Sequence, residues 1–247
     1  MIVTRHPRAT VSALTNTRNI WSFTVTAEDG VTTAVYTVTV NTAALPEPIT
    51  PGVDNKKPAS KPEVKLPFTD VSTSDWFYDD VAFVYENGLF SGTDSRSFSP
   101  NASMTRAMLV TVLYRLEGEP TVTGRSSFTD VRSGAYYEKS VIWAAANGIV
   151  TGTDSTSFSP DAKVTREQLA AILYRYAQYR KLDTDASAKL NSFTDADSVS
   201  AYASEALGWA VSEGLINGAS GKLMPKGDAT RAQVAAILHR LVKNVLN

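Results

Sequence analysis

No cysteine occurs in the 247 residues, which excludes disulfide frameworks, thiolate zinc sites and cysteine nucleophiles. The absence leaves the compartment open, because a chain of this length builds a core without covalent staples. Histidine is nearly absent as well. His6 lies in a loose N-terminal stretch and His239 follows the apolar Leu238, and neither has a neighbour suited to catalysis or metal binding. Neither sign of charge is in excess: 24 Lys and Arg face 25 Asp and Glu, for a net charge of −1, which argues against a nucleic-acid partner. Long apolar runs are missing too. The longest, Val141–Ala146 and Leu169–Tyr174, have six residues. A bilayer span needs about 20, so no membrane insertion is expected. Met1–His6 lacks the apolar region of a secretory leader, so export would rely on a signal not visible in this sequence.

What is present is ordinary in amount, with 43% hydrophobic and 20% charged residues, but unevenly arranged. Within residues 1–43, Trp21, Phe23, Val25 and Ala27 alternate with Ser22, Thr24 and Thr26. After a polar Glu28-Asp29-Gly30 turn, Ala34, Tyr36, Val38 and Val40 alternate with Val35, Thr37 and Thr39. Period-two patterning around a turn predicts a hairpin. Two strands are marginal alone in water, so this zone reads as the last hairpin of a β-sandwich whose earlier strands are missing. It resembles the closing strands of cadherin-like or immunoglobulin-like repeats of bacterial surface proteins. Six of the 11 prolines, Pro46 to Pro67, then crowd together with Lys56, Lys57 and Lys61. That composition predicts an extended, semi-rigid linker over 44–65.

The remainder repeats itself three times, over 66–124, 125–188 and 189–247. Each repeat opens with Phe-Thr-Asp at Phe68, Phe128 or Phe193 and reaches a Thr-Arg pair at Arg106, Arg166 or Arg231, always 38 residues later (68 to 106, 128 to 166, 193 to 231). The third repeat keeps that total by gaining a residue before Gly214 and losing one between Gly218 and Pro225. An aromatic (Trp76, Tyr136, Tyr202) precedes a first helix, whose face is Val81, Val84, Tyr85 and its counterparts Val141, Ala144, Ala145 and Leu207, Ala210, Val211. Gly88, Gly148 and Gly214 are placed to end it as left-handed C-caps. A loop from Gly92, Gly152 or Gly218 to Pro100, Pro160 or Pro225 leads to a second helix. Its stripe is Leu109, Val112, Leu113, Leu116, then Leu169, Ile172, Leu173, Tyr176, then Val234, Ile237, Leu238, Leu241. Such a helix–loop–helix unit cannot bury its own face and needs its neighbours.

The start of the second helix carries the sharpest chemistry. Thr105, Thr165 and Thr230 suit the N-cap, and Gln168 and Gln233 complete a Thr-x-x-Gln capping box that Met108 breaks. An Arg at the first helical position opposes the helix dipole, and three such placements invite explanation. An amide-rich helix start beside a guanidinium suits an anion. The residues alone leave two roles open for Arg106, Arg166 and Arg231: ion pair with the aspartates Asp70, Asp130 and Asp195, or ligand contact. Trp76, Tyr136 and Tyr202 suit stacking on a sugar ring, although core packing is the commoner fate of a recurring aromatic. Trp143 and Trp209 read as core. Catalysis is not expected: the acids recur singly rather than in the differentiated pairs of a glycosidase, and hydrolase, zinc-protease and phosphate-loop motifs are missing. The loops with Asp94 and Asp154 hold too few acids for an EF-hand-type calcium site.

These openings, the Trp143–Gly148 and Trp209–Gly214 segments and the Thr-Arg-x-x helix starts resemble the S-layer homology family over residues 66–247. The resemblance implies a mainly α fold, three repeats in pseudo-threefold array around a central three-helix bundle, with grooves between repeats. It implies a secreted, non-catalytic anchor at the bacterial cell wall that binds a pyruvylated secondary polysaccharide attached to peptidoglycan. On that basis Arg106, Arg166 and Arg231 contact the acidic substituent, with Gln168, Gln233, Trp76, Tyr136 and Tyr202 completing the sites. No cofactor or metal is implied, and a monomeric module is expected. Where the family motif ends in Glu this chain has Met108, Gln168 and Gln233, and Phe83 replaces the tryptophan of the other repeats. Three equal sites are therefore not expected, and a groove with Tyr136, Arg166 and Gln168 is expected to be the most complete. The alternatives are a protein–protein assembly module of a surface layer and the C-terminal part of a secreted wall-glycan hydrolase.

Overall fold

The computed structural model describes residues 65–246 and four strand segments before them, in two compact units spanning 1–61 and 62–247. His6 and the expected linker, apart from Lys65, lie outside the described residues.

In the first unit the expected hairpin is formed by β3 (Ile20–Thr26) and β4 (Thr33–Thr39). Antiparallel register sets Trp21 opposite Val38, Phe23 opposite Tyr36 and Val25 opposite Ala34, so the two apolar series face each other across the ladder. The hairpin is not alone. Two short strands, β1 (Thr10–Val11) and β2 (Thr15–Thr17), pair with β3 along its other edge, making β3 the central strand. Their brevity left no period-two run to read.

Among the described residues the second unit has six α-helices: α1 (Tyr78–Glu86), α2 (Arg106–Leu116), α3 (Glu138–Ala146), α4 (Arg166–Tyr179), α5 (Ser204–Ser212) and α6 (Arg231–Arg240). No helix among the described residues is long and apolar enough to cross a membrane. The apolar periods predict which faces are buried. Val81, Val84, Val141, Ala144 and Ala210 have no exposed surface, while Tyr85, Ala145 and Val211 sit at the edge of that face. The second-helix stripe is buried throughout except at Leu116, giving one continuous core fed by all six helices. Gly88, Gly148 and Gly214 take φ of +67°, +69° and +67° as left-handed caps. The later glycine serves close approach instead: a Cβ on Gly152 would lie 2.2 Å from the Asp154 carbonyl oxygen.

Closure is cyclic. Just before each second helix the backbone is extended, so its N–H and C=O project sideways to the other repeats. Met104 N donates to Ala229 O (2.8 Å), Ala229 N to Val164 O (2.9 Å) and Val164 N to Met104 O (2.9 Å), a closed ring of three bonds about the pseudo-threefold axis. The ring gathers the starts of α2, α4 and α6. Each first helix then packs on the second helix of the preceding repeat, α3 on α2, α5 on α4 and α1 on α6. The same seam recurs in side chains: Trp143 against Tyr114 (5.7 Å between ring centroids), Trp209 against Tyr174 (5.6 Å) and Phe83 stacked on His239 (4.2 Å). Trp143 and Trp209 are buried, as expected of core residues. His239 has a structural partner across that closing seam, its Nδ1 lying 2.7 Å from Asp80 Oδ1.

Candidate functional site: three inter-repeat grooves

The chemistry of the second-helix starts turns inward. Thr105, Thr165 and Thr230 accept the backbone N–H of Met108, Gln168 and Gln233 at 3.2, 3.3 and 3.3 Å. Gln168 and Gln233 close capping boxes, which Met108 cannot do. The two preceding amides are taken by the following repeat: Arg106 N and Ala107 N donate to Ala162 O and Pro160 O, Arg166 N and Glu167 N to Gly227 O and Pro225 O, and Arg231 N and Ala232 N to Ala102 O and Pro100 O. With their first three amides satisfied by protein, the starts of α2, α4 and α6 offer no open N–H groups of that turn to an anion. Anion-binding capacity therefore rests with side chains.

Arg106, Arg166 and Arg231 are buried, and each reaches into the loop of the next repeat. Arg106 donates from Nε to Phe158 O (2.8 Å) and from Nη2 to Thr151 O (2.9 Å). Arg231 does the same to Phe98 O (2.7 Å) and Ser91 O (2.8 Å). Their guanidinium carbons lie 4.7 Å above the Phe158 ring and 4.6 Å above the Phe98 ring. Arg166 is held less firmly, donating from Nε to Leu223 O (2.7 Å) with no aromatic ring at that position of the third repeat. The opening aspartates grip the other side of the same peptides. Asp70 accepts from Phe98 N and Ser99 N, Asp130 from Phe158 N and Ser159 N, and Asp195 from Leu223 N and Met224 N, all at 2.7–2.8 Å. Ser99, Ser159 and Met224 have φ of +57°, +58° and +53°, so each aspartate pins a residue in the left-handed region. Arginine and aspartate thus act on each other through the loop they share. Burial pulls all three guanidinium groups below their usual value, and the facing aspartates oppose the shift.

Trp76, Tyr136 and Tyr202 are 65%, 64% and 56% exposed, which excludes the core role for them. The neighbouring Phe77, Tyr137 and Ala203 are buried in their place. Each exposed ring edges a groove assembled from all three repeats. The first groove, about 500 Å³, combines the Leu89–Thr93 loop and Arg115 of repeat one with Tyr136 of repeat two and Arg231 of repeat three. The second, about 610 Å³, combines Thr151–Thr153, Gln168 and Arg175 of repeat two with Tyr202 of repeat three and Arg106 of repeat one. The third, about 320 Å³, combines Leu215–Ala219, Gln233 and Arg240 of repeat three with Trp76 of repeat one and Arg166 of repeat two. Tyr136, Arg166 and Gln168, expected together, lie in three different grooves. The cyclic exchange between repeats separates them, and a linear reading has no means to see it.

The sequence reading also missed the second arginine of every groove. Arg115, Arg175 and Arg240 follow the first arginines by nine residues (106 to 115, 166 to 175, 231 to 240), a recurrence visible in the sequence. They donate to Leu89 O, Ile149 O and Leu215 O at the loop's start, at 3.1, 3.4 and 3.1 Å. In the second groove the two cations feel each other: after burial, the charge of Arg175 is the main influence lowering Arg106. Among the described residues no cluster of His, Asp and Glu is arranged to hold a metal ion.

Comparison with known proteins places this geometry. The S-layer homology domain matches three stretches, residues 67–107, 127–170 and 192–235. The chain belongs to that family. It is similar to an endoglucanase of Bacillus sp. (strain KSM-635), with 32% identity over 73% of this chain and 19% of the relative. It is also similar to an amylopullulanase of Thermoanaerobacterium thermosulfurigenes, 30% identical over 71% of this chain and 9% of the relative. A surface-layer 125 kDa protein of Lysinibacillus sphaericus is 31% identical over 53% of this chain and 11% of its own length. The chain thus spans less than a fifth of each of these relatives.

One contact sets the second S-layer homology repeat apart. Glu167, 4% exposed, accepts from Ser200 N (3.1 Å), Ser200 Oγ (3.0 Å), the Tyr202 hydroxyl (3.1 Å) and Lys226 Nζ (2.7 Å). Burial pushes its carboxyl up, but the Lys226 ammonium and the Ser200 and Tyr202 donors outweigh that and hold it below the usual range. A depressed carboxylate stabilises the fold above its unfolded pKa, near 4.5, and that contribution is lost as pH falls through the lower folded value. In thermal unfolding, the Tm gap between the protein and Glu167→Gln is expected to hold from neutrality to about pH 5 and to close on further acidification. A gap that widens in acid would contradict the assignment.

Proposed function

We propose that residues 66–247 form a non-catalytic anchor that holds a bacterial surface protein to its cell wall by binding an acidic secondary polysaccharide, one bearing pyruvate ketals. The observation that carries this reading is the groove composition: two arginines and an exposed aromatic, repeated three times, in clefts open to water. A guanidinium pair suits a carboxylate substituent, and an aromatic face suits the C–H side of a pyranose ring. Catalysis fits poorly, because the recurrent carboxylates of Asp70, Asp130 and Asp195 are occupied by backbone amides. Similarity to glycosidases and a surface-layer protein over a small share of their lengths supports a common attachment role rather than a common reaction. Three grooves on one polymer raise apparent affinity through effective concentration.

The test is binding of the full chain to isolated cell-wall sacculi before and after chemical removal of the secondary polysaccharide. Binding is expected to vanish with the polysaccharide. Binding that survives moves the target to peptidoglycan, and absence of binding together with concentration-dependent oligomers favours surface-layer assembly.

A further inference from the structure

We propose that Glu167 is a positioning residue that locks the Tyr202 ring at the edge of the second groove, giving that groove a sugar platform tethered to a buried carboxylate, a tether the other two lack. The inference rests on the carbohydrate-binding reading above and adds a residue and an asymmetry to it. At the position of Glu167 the other repeats carry Ala107 and Ala232, whose side chains cannot reach the next repeat's aromatic. Glu167 is itself fixed. It sits at the second position of α4, its backbone N–H bound to Pro225 O, and its carboxylate is clamped by Ser200 and Lys226 of the third repeat. Lys226 Nζ also bonds Ser200 Oγ, so the cluster holds itself together without Tyr202.

Tyr202 then hangs from a rigid point by its hydroxyl while 56% of the residue stays open to solvent. An exposed tyrosine otherwise samples several ring orientations, and a ligand that stacks on one of them must overcome that freedom. Hydrogen bonding to a buried carboxylate removes the freedom before the ligand arrives. The bond also leaves a mark independent of any ligand: burial, then the Glu167 charge, pushes the Tyr202 phenol up to about 12.

The experiment uses the full chain with ring-labelled tyrosine, Tyr202→Phe to assign the Tyr202 signal, and a hexopyranoside bearing a pyruvate ketal as probe. Tyr202 reports the second groove and Tyr136 the first, within one molecule. Glu167→Ala is expected to weaken the response at Tyr202 by about three- to tenfold, leave the response at Tyr136 unchanged, and lower the Tyr202 phenol pKa toward its ordinary value. Glu167→Gln, which keeps an acceptor for the hydroxyl, is expected to restore much of the Tyr202 affinity. Equal loss at Tyr136 and Tyr202 would mark Glu167 as a general stabiliser and overturn the proposal. An unchanged Tyr202 midpoint would overturn it as well. If the unaltered protein shows no response to the sugar in either groove, the carbohydrate reading falls, and with it the platform.

Discussion

Replacing Arg231 with alanine is expected to cost the repeat unit about 3–6 kcal/mol of stability, built from two charge-assisted hydrogen bonds of about 1.5–3 kcal/mol each. The side chain is 6% exposed and bonds Phe98 O and Ser91 O, so its removal strands two carbonyls and opens a void against Phe98 and Phe90. The contact joins the third repeat to the first, sequence separations of 133 and 140 residues, and helps close the ring. At about 2–4 °C per kcal/mol for a unit of this size, calorimetry should show Tm falling by roughly 10 °C. Arg231→Lys recovers little, because a single ammonium cannot present the fork that meets both carbonyls. Arg166→Ala supplies the control. It gives up one bond to Leu223 O and no ring contact, so its penalty should be about half as large. Equal penalties for the two would contradict this bond inventory.

How far these features were legible in the sequence follows from which of them are local. The helix faces, the glycine caps and the Thr-x-x-Gln boxes depend on residues within four positions of each other, and periodicity exposes them. The roles of Arg106, Arg166 and Arg231 depend on carbonyls in another repeat. The sequence marks these residues as unusual, since a cation opposes the helix dipole at that position. It does not disclose that each crosses to the next loop or that Asp70, Asp130 and Asp195 hold the opposite face of the same peptides. Groove membership was illegible for the same reason: Tyr136, Gln168 and Arg166 look adjacent in a linear repeat and are dispersed by cyclic closure. Exposure of Trp76, Tyr136 and Tyr202 was underestimated because the adjoining Phe77 and Tyr137 satisfy the same need for a buried ring. The second arginines recur at a fixed nine-residue offset, but an arginine within a helix is ordinarily a solvated surface charge, so the offset alone does not mark them as groove residues.

Arg175→Ala is expected to remove binding at the second groove by about ten- to a hundredfold while leaving the fold intact, because Arg175 is little used by the structure. Its one protein bond, to Ile149 O, is 3.4 Å long, in contrast to the two short bonds that bury Arg106 in the same groove. A charge that the fold does not need, set where it depresses a neighbouring guanidinium, stabilises little in the free protein. Under the proposed function an incoming carboxylate would reverse that balance by meeting both cations. Arg115→Ala should cost less binding at the first groove, since Glu119 at 4.0 Å already offsets part of the Arg115 charge. The grooves are open to water, so affinity should also fall as salt rises, and the fall should be shallower in Arg175→Ala. Calorimetric titration of the pyruvylated sugar into both variants at two ionic strengths reads all of this together. Unchanged affinity in Arg175→Ala would remove the second arginine from recognition. Loss of affinity with a Tm drop as large as that of Arg231→Ala would return Arg175 to the scaffold, leaving anion recognition to the buried arginines alone.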